Sequence, residues 1–341
     1  MKVLVTGGCG FIGSWVCDYY AQRGAQVISY DSMTKYELMR TGYNVDEVRN
    51  YNWEYLNKLG VKLVKADVRN REELFEHAKD CDFIVHTAAQ PAMTLSIEDP
   101  QLDFSTNAQG TVNVLEAARK FNIAVVSCAT IHIYGNQINR ELKEGKIRYI
   151  RKPALINEKY PTLTGIITPL HASKASADIY VRAYIDTYKV KAASFRLTGL
   201  YGPRQFGGED HGWVANFCIR AITGLPITIY GAGKQVRDIL YAQDVVSAFD
   251  CFYKKQKPGI YNIGGGKENM ISLLESIDLI SRILDKKIEI KCAPSRLGDL
   301  RYFVCDIKKA KKDLGWSSKT RPKEGIEKLI SWIKENRKLF R

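Results

Sequence analysis

Short runs rich in Val and Ile recur through the first two-thirds of the chain, at residues 2–5, 26–30, 62–65, 83–86, 124–128 and 192–196. Their apolar positions are consecutive rather than alternate, so each predicts a strand buried on both faces. The stretches between them carry apolar residues at helical spacing. Strands of this kind alternating with amphipathic helices predict an α/β fold built on a doubly wound parallel sheet, with helices covering both sides.

From about Tyr201 the pattern loosens into Gly- and Pro-containing loops (YGPRQFGGEDHG, YGAGKQVRD, YNIGGGKEN) and short helices, ending in an amphipathic helix over 325–334. This predicts a smaller C-terminal α/β lobe. The expected division is 1–200 for the sheet domain, with a loop insertion at 137–167, and 201–341 mainly for the second lobe. Part of 235–265 is expected to return to the first domain.

Composition narrows the class. The 341 residues are 45% hydrophobic and 26% charged, as expected of a globular protein with a sizeable core. No apolar run approaches the roughly 18 residues of a membrane span, and the opening MKVLVTGG reads as strand and glycine turn, so a cytoplasmic protein without a membrane partner is expected. The eight cysteines show no Cys-x-x-Cys pair and no histidine spacing for zinc, which predicts free thiols and no metal site. Residues 1–150 carry 17 Lys and Arg against 18 Asp and Glu, and the remainder 34 against 19. The net +14 therefore belongs wholly to the second part, which suits an anionic ligand. No aromatic-interleaved basic stripe marks a nucleic-acid partner.

Candidate chemistry begins with KVLVTGGCGFIGSW. Gly7, Gly10 and Gly13, with Phe11 and Ile12 between the last two, stand where the first strand passes into the first helix. Glycines there allow a tight turn and let backbone N–H groups approach a pyrophosphate at a helix N-terminus. Asp31 ends the next strand, followed by Ser32, at the distance expected for binding an adenosine ribose. These features predict a Rossmann-type dinucleotide site. An acid at Asp31 favours NAD over NADP, whose 2′-phosphate it would repel, and the nearby Lys35 acts against that preference.

The spacing Gly-x-x-Gly-x-x-Gly resembles that of the extended short-chain dehydrogenase/reductases acting on nucleotide sugars. The resemblance runs nearly end to end: TGGCGFIG, Asp67-Val68, HTAAQ at 86–90, Asn107 in STNAQGT, Tyr134-Gly135, Ser173-Lys174, YGPRQ at 201–205, KQVRD at 234–238 and DLGW at 313–316. YGPRQF, DHGWVANFC and GKQVRDIL are most similar to the CDP-paratose 2-epimerase (CDP-tyvelose epimerase) branch. The resemblance implies that Asp67 and Val68 hold the adenine and that Ala88, Ala89 and Gln90 line cofactor and substrate phosphates. It also implies that Asn107 supports the nicotinamide side and that Lys174 binds the nicotinamide ribose.

Epimerising an unactivated sugar carbon requires transient oxidation: hydride leaves to bound NAD and returns to the other face, while one protein group takes and restores the hydroxyl proton. In the family this group is a tyrosine four residues before the lysine, assisted by a Ser or Thr matched here by Thr130. The tyrosine position is Leu170, which carries no proton. Positions three and four before Lys174 share its side of a helix, so His171 is the expected substitute. It is read equally as a substrate contact, and otherwise as a packing histidine; His132 and Tyr134 are secondary candidates. Dehydratases of the family place Asp-Glu directly after the Thr, where this chain has Ile131-His132.

For the substrate, Arg237 and Arg301 match the family's diphosphate and ribose contacts, and the planar fork of arginine suits phosphate. Thr198, Gln205, His211 and Asn216, with Gln90, Thr130 and His171, fall where sugar and base are expected. The sequence reading is thus an NAD-dependent CDP-sugar 2-epimerase-like enzyme with an atypical acid/base. Two alternatives stay open: another UDP- or NDP-sugar epimerase, decarboxylase or reductase, or a non-catalytic protein that binds NAD and a nucleotide sugar. The family pairs through helices matching 100–122 and 170–189, so a homodimer or dimer of dimers is expected, although the stripe Ala177, Tyr180, Val181, Tyr184, Tyr188 reads equally as internal core.

Overall fold

Each apolar run forms a strand in the computed structural model, which describes every residue except Lys35, Glu37 and Arg341. The strands are β1 (Lys2–Thr6), β2 (Gln26–Asp31), β3 (Lys62–Lys65), β4 (Phe83–His86), β5 (Ala124–Thr130) and β6 (Ala192–Leu197). A seventh, β7 (Gly259–Ile263), joins from the loose C-terminal part. All seven are parallel, in the order β7-β6-β5-β4-β1-β2-β3.

Consecutive apolar residues serve both faces, because successive side chains of a strand point to opposite sides. Val3, Val5, Phe83 and Val85 join a core under helix α1 (Phe11–Ala21), α2 (Val45–Lys58) and the helix Ala242–Lys255. Leu4, Ile84 and Val125 point the other way, into a core under α3 (Arg71–Ala78), α4 (Gly110–Phe121) and α5 (Pro169–Tyr188). The chain steps outward from β1 to β3, then crosses back to β4 on the other side of β1. Between β1 and β4 the order reverses, and a crevice opens at the carboxyl ends of the strands.

The second lobe is made of short pieces. Val236–Asp238 pairs with Met270–Ser272 antiparallel and with Tyr302–Phe303 parallel, and Ile227–Tyr230 pairs with Ile290–Ala293. Its core packs the helices Trp213–Thr223, Leu273–Leu284 and Pro322–Glu335, and takes in Leu38 and Val48 from the first half of the chain. Within 137–167 the chain forms a two-stranded ribbon, Lys143–Glu144 with Tyr149–Ile150.

Helix α5 starts after Thr168, its N-cap, with Pro169 in the first turn where a missing N–H costs nothing. The aromatic stripe along it divides. Ala177, Val181 and Tyr184 are buried, with Tyr184 Oη donating to Glu116 Oε1 at 2.8 Å, while Tyr180 and Tyr188 are 47% and 52% exposed. Ile179 on α5 and Phe104 on the adjoining helix Pro100–Phe104 are also exposed, at 58% and 53%.

One buried histidine ties the sheet to its covering helix. His86 Nδ1 lies 2.7 Å from Thr6 Oγ1, and its Nε2 lies 3.0 Å from Thr111 Oγ1 on α4. Burial, reinforced by Lys174, pushes its pKa down to about 3, whereas an unfolded histidine titrates near about 6.5. Between those values the unfolded chain binds a proton that the folded chain does not, so this contribution to stability is whole above about pH 6.5 and is lost as pH falls. Urea unfolding from pH 7.5 to 5 is expected to show a decline that His86→Asn makes shallower by up to about 1.4 kcal/mol per pH unit. An unchanged slope would show that His86 is not held neutral.

Candidate functional site

Where the sheet order reverses, the crevice deepens into a cavity of about 610 Å³ that runs from the glycine turn to the second lobe. Gly7 has φ +69°, and a Cβ there would lie 2.6 Å from Ala88 N; a Cβ on Gly13 would lie 2.0 Å from Gly7 O. Only glycine lets the turn, the loop after β4 and the start of α1 approach so closely. The first turn of α1 has no side-chain cap and no acidic residue, which leaves its N–H groups and positive dipole end to a ligand. Gly7, Gly10, Phe11, Ile12 and Gly13 all line the cavity.

Next along the wall come Asp31 and Ser32. Asp31 accepts hydrogen bonds from Cys9 N at 2.9 Å and Met33 N at 2.8 Å, and it pairs with Arg49, which α2 brings in buried. Lys35, set against Asp31 in the sequence reading, lies outside the described residues. Asp67 and Val68 follow. Burial would raise the Asp67 pKa, but Arg69, gripping both carboxylate oxygens at 3.0 and 2.7 Å, holds it below the usual range.

Ala88, Ala89 and Gln90 complete this end. The Gln90 amide donates to Ala92 O and Asp103 Oδ1, each at 3.0 Å. Asn107, expected at the nicotinamide side, is not on the cavity wall. It lies one layer behind, buried in a π-helical turn (Ser105–Gln109), donating to Gln90 O at 3.0 Å and Ser173 Oγ at 3.1 Å and accepting from Gln90 N at 2.9 Å. It is a strut that joins the loop after β4 to α5.

At the centre, Thr130 ends β5 and faces Lys174 and Leu170 from α5, all three on the wall. Thr130 Oγ1 accepts from His132 N at 3.2 Å, which leaves its own hydrogen free for a ligand. Burial lowers the Lys174 pKa, against the opposing influence of Cys128 and Asp103. Burial pushes the Cys128 thiol up to about 12.

The expectation for His171 is corrected. One residue along a helix is a turn of about 100°, and Leu170 takes the cavity side while His171 turns away from it. Its Nδ1 lies 3.2 Å from Thr168 N, from which it accepts, and 2.7 Å from Thr168 Oγ1, completing a capping box at the start of α5. The ring is 1% exposed, packs beside Gly298 and does not line the cavity. The imidazole on the wall near Thr130 is His132, two residues after it. Tyr134 is fully buried behind it, donating to Asn262 Oδ1 at 2.8 Å.

Thr198, Gln205, His211, Asn216 and Arg237 line the far half. The Thr198 hydroxyl donates to Asp238 Oδ1 at 2.8 Å, and Gln205 Nε2 donates to Leu200 O at 3.2 Å. His211 Nε2 lies 3.2 Å from Phe206 O. Arg237 is buried, donates to Val236 O at 2.8 Å and lies 3.9 Å from Asp299; burial lowers its pKa. Arg301 is corrected as well: it is exposed, off the cavity wall, with its guanidinium 5.8 Å from the Tyr149 ring. The second arginine on this part of the wall is Arg296, stacked 3.9 Å over Tyr230 and donating to Glu209 O at 2.7 Å. Arg296 and Arg301 both stand in SRLGDLR, and in an irregular loop no periodicity tells which one faces inward.

The cavity thus has two ends that meet: a glycine cradle fitted to a dinucleotide, and a half in which Arg237 and Arg296 are paired with Asp299 and Asp210, with Thr130 and Lys174 between. The sequence pattern of the NAD dependent epimerase/dehydratase family matches residues 3–264. CDP-paratose 2-epimerase of Salmonella typhi is 35% identical over 349 residues, spanning 97% of this chain and 99% of that protein. Among solved structures, UDP-glucose 4-epimerase of Thermus thermophilus in complex with NAD is 32% identical, with a TM-score of 0.79 and coverage of 98% of this chain and 99% of that one. UDP-glucose 4-epimerase of Thermotoga maritima with UDP-glucose is 27% identical, with a TM-score of 0.81 and coverage of 98% and 99%.

Proposed function

Since the chain belongs to the NAD dependent epimerase/dehydratase family, we propose that it is an NAD-dependent nucleotide-sugar epimerase, of the kind that inverts C2 of a CDP-sugar, with an atypical acid/base. The observation that carries this reading is the continuous cavity in which Thr130 and Lys174 stand between the glycine cradle and Arg237 with Arg296. Similarity across nearly the whole length of a CDP-paratose 2-epimerase supports the CDP-sugar.

Gly7, Gly10 and Gly13 with the start of α1 would hold the pyrophosphate of NAD, and Asp31 the adenosine ribose. NAD, when bound, would supply a reversible hydride acceptor for a sugar carbon. Arg237 and Arg296 bind the substrate diphosphate and fix the sugar's position. Thr130 donates to the reacting sugar oxygen, since its hydroxyl oxygen already accepts from His132 N. Lys174, an ammonium in a poorly solvated setting, favours electron-rich oxygens beside it. Ile131-His132 in place of Asp-Glu weighs against dehydration.

Leu170 on the cavity wall favours one other reading, a protein that binds both ligands without turnover. CDP-, UDP-, GDP- and dTDP-sugars offered to the purified protein and followed by proton NMR separate the two. Epimerisation of a CDP-sugar is expected, with Thr130→Val and Lys174→Met lowering turnover by about 100-fold or more. Tight binding of the nucleotide sugars with no product would establish the binder instead.

We also propose a homodimer through α5, where Ile179, Tyr180 and Tyr188, with Phe104 beside them, leave an exposed apolar surface. Light scattering is expected to give twice the chain mass for the wild type and a single chain mass for Ile179→Glu with Tyr180→Glu. A wild-type monomer would contradict the proposal.

A further inference from the structure

Oxidising a sugar hydroxyl releases one proton for each hydride that leaves, and Leu170 has no atom to take it. Around Thr130 the wall offers Cys128, His132, Lys174 and Arg237 with its partner Asp299 as titratable groups. The Cys128 thiol, pushed up to about 12 by burial, keeps its proton. The Arg237 guanidinium has no lone pair to offer, the Asp299 carboxylate is turned to it at 3.9 Å, and Lys174 is assigned to the cofactor ribose. His132 is different: a neutral imidazole with a basic nitrogen.

Its placement is determined by local geometry. Residues Ile131–Tyr134 form a 3-10 turn directly after β5, and the bond from His132 N to Thr130 Oγ1 holds ring and hydroxyl on one turn. The ring stands edge-to-face against His171, centroids 6.0 Å apart. His132 Nδ1 and His171 Nε2 are both enclosed without a hydrogen-bond partner among the described residues. Two unpaired buried nitrogens on adjacent imidazoles are costly for a core and suit a pair whose protonation changes during a reaction.

We propose that His132 is the acid/base of this site and that His171, locked into the cap of α5, is the positioning residue that holds its ring. This deepens the epimerase reading and rests on it. As hydride leaves the sugar carbon for the bound NAD, the O–H bond would break toward His132 Nε2, the ring nitrogen that is not enclosed, and the carbon–oxygen bond would become a carbonyl. On return, the C–H bond forms on the opposite face and the imidazolium gives its proton back to the oxygen.

The surrounding charges support this use. Burial, then Arg237 and His171, lower the His132 pKa to about 3, so the free protein holds it neutral, as an acceptor must be. Weak basicity suffices because the hydroxyl becomes a strong acid as hydride departs, and the resulting imidazolium is a correspondingly strong acid for the return. Substrate diphosphate neutralises Arg237, removing one of the influences that lower the pKa; Asp299 and the buried Asp238 act on Arg237 itself, and Lys174 lines the same wall.

The wild type is first assayed with CDP-sugars. His132→Gln is then expected to lower kcat by about 100-fold or more with nucleotide-sugar Kd nearly unchanged, and added imidazole to restore turnover to His132→Gly. By ¹⁵N-histidine NMR, saturating CDP should move the His132 titration upward. His171→Ala is expected to shift the pH profile of kcat as well as lowering Tm. A wild type that binds but never turns over overturns the epimerase reading and this proposal together. A working wild type with His132→Gln at near-normal kcat, or a lost activity that imidazole does not restore and a ring titration that CDP leaves unmoved, overturns this proposal alone.

Discussion

The reversal of strand order between β1 and β4 is the constraint on which the rest of the structure depends. A parallel sheet brings all its carboxyl ends to one edge, and only at the reversal do the outgoing connections leave in opposite directions and open a crevice. Thr6 leading into the glycine turn, Asp31, Asp67 after β3, the loop after His86 and Thr130 all stand at that edge because each ends a strand or follows one. The cavity is therefore a consequence of topology, and the side chains at the strand ends determine what it holds.

Two kinds of support keep this edge in register. Glycines at 7 and 13 allow backbone to meet backbone where any Cβ would intrude, and Asn107 ties the loop after β4 to α5 from behind. His86, pinned between Thr6 and Thr111, fixes the same loop from below. The dinucleotide end of the cavity is thus built from backbone and short side chains on rigid elements, so its shape is set by the fold itself.

Much of this was legible in the sequence because it rests on short-range rules. Consecutive apolar runs marked the central strands to within two residues, and the glycine spacing with Asp31 at a strand end pointed to the dinucleotide end. What escaped was decided by orientation within irregular or capped segments. His171 and Leu170 differ by one step on a helix, and the Thr168 cap, invisible to periodicity, draws His171 out of the cavity. Arg296 and Arg301 share a loop in which no repeat says which faces inward. Asn107 falls in a π-helical turn, whose phase differs from that of the helix around it.

The leucine at position 170 lines the cavity and carries no proton, so the direct question is whether hydride leaves and returns within one site. A CDP-sugar carrying deuterium at C2, incubated with the protein in ordinary water and followed by NMR and mass spectrometry, answers it. Transient oxidation with return of the same hydride predicts inverted product that keeps the label at C2. Product that exchanges the deuterium for solvent hydrogen would show removal of C2–H as a proton and contradict the hydride mechanism.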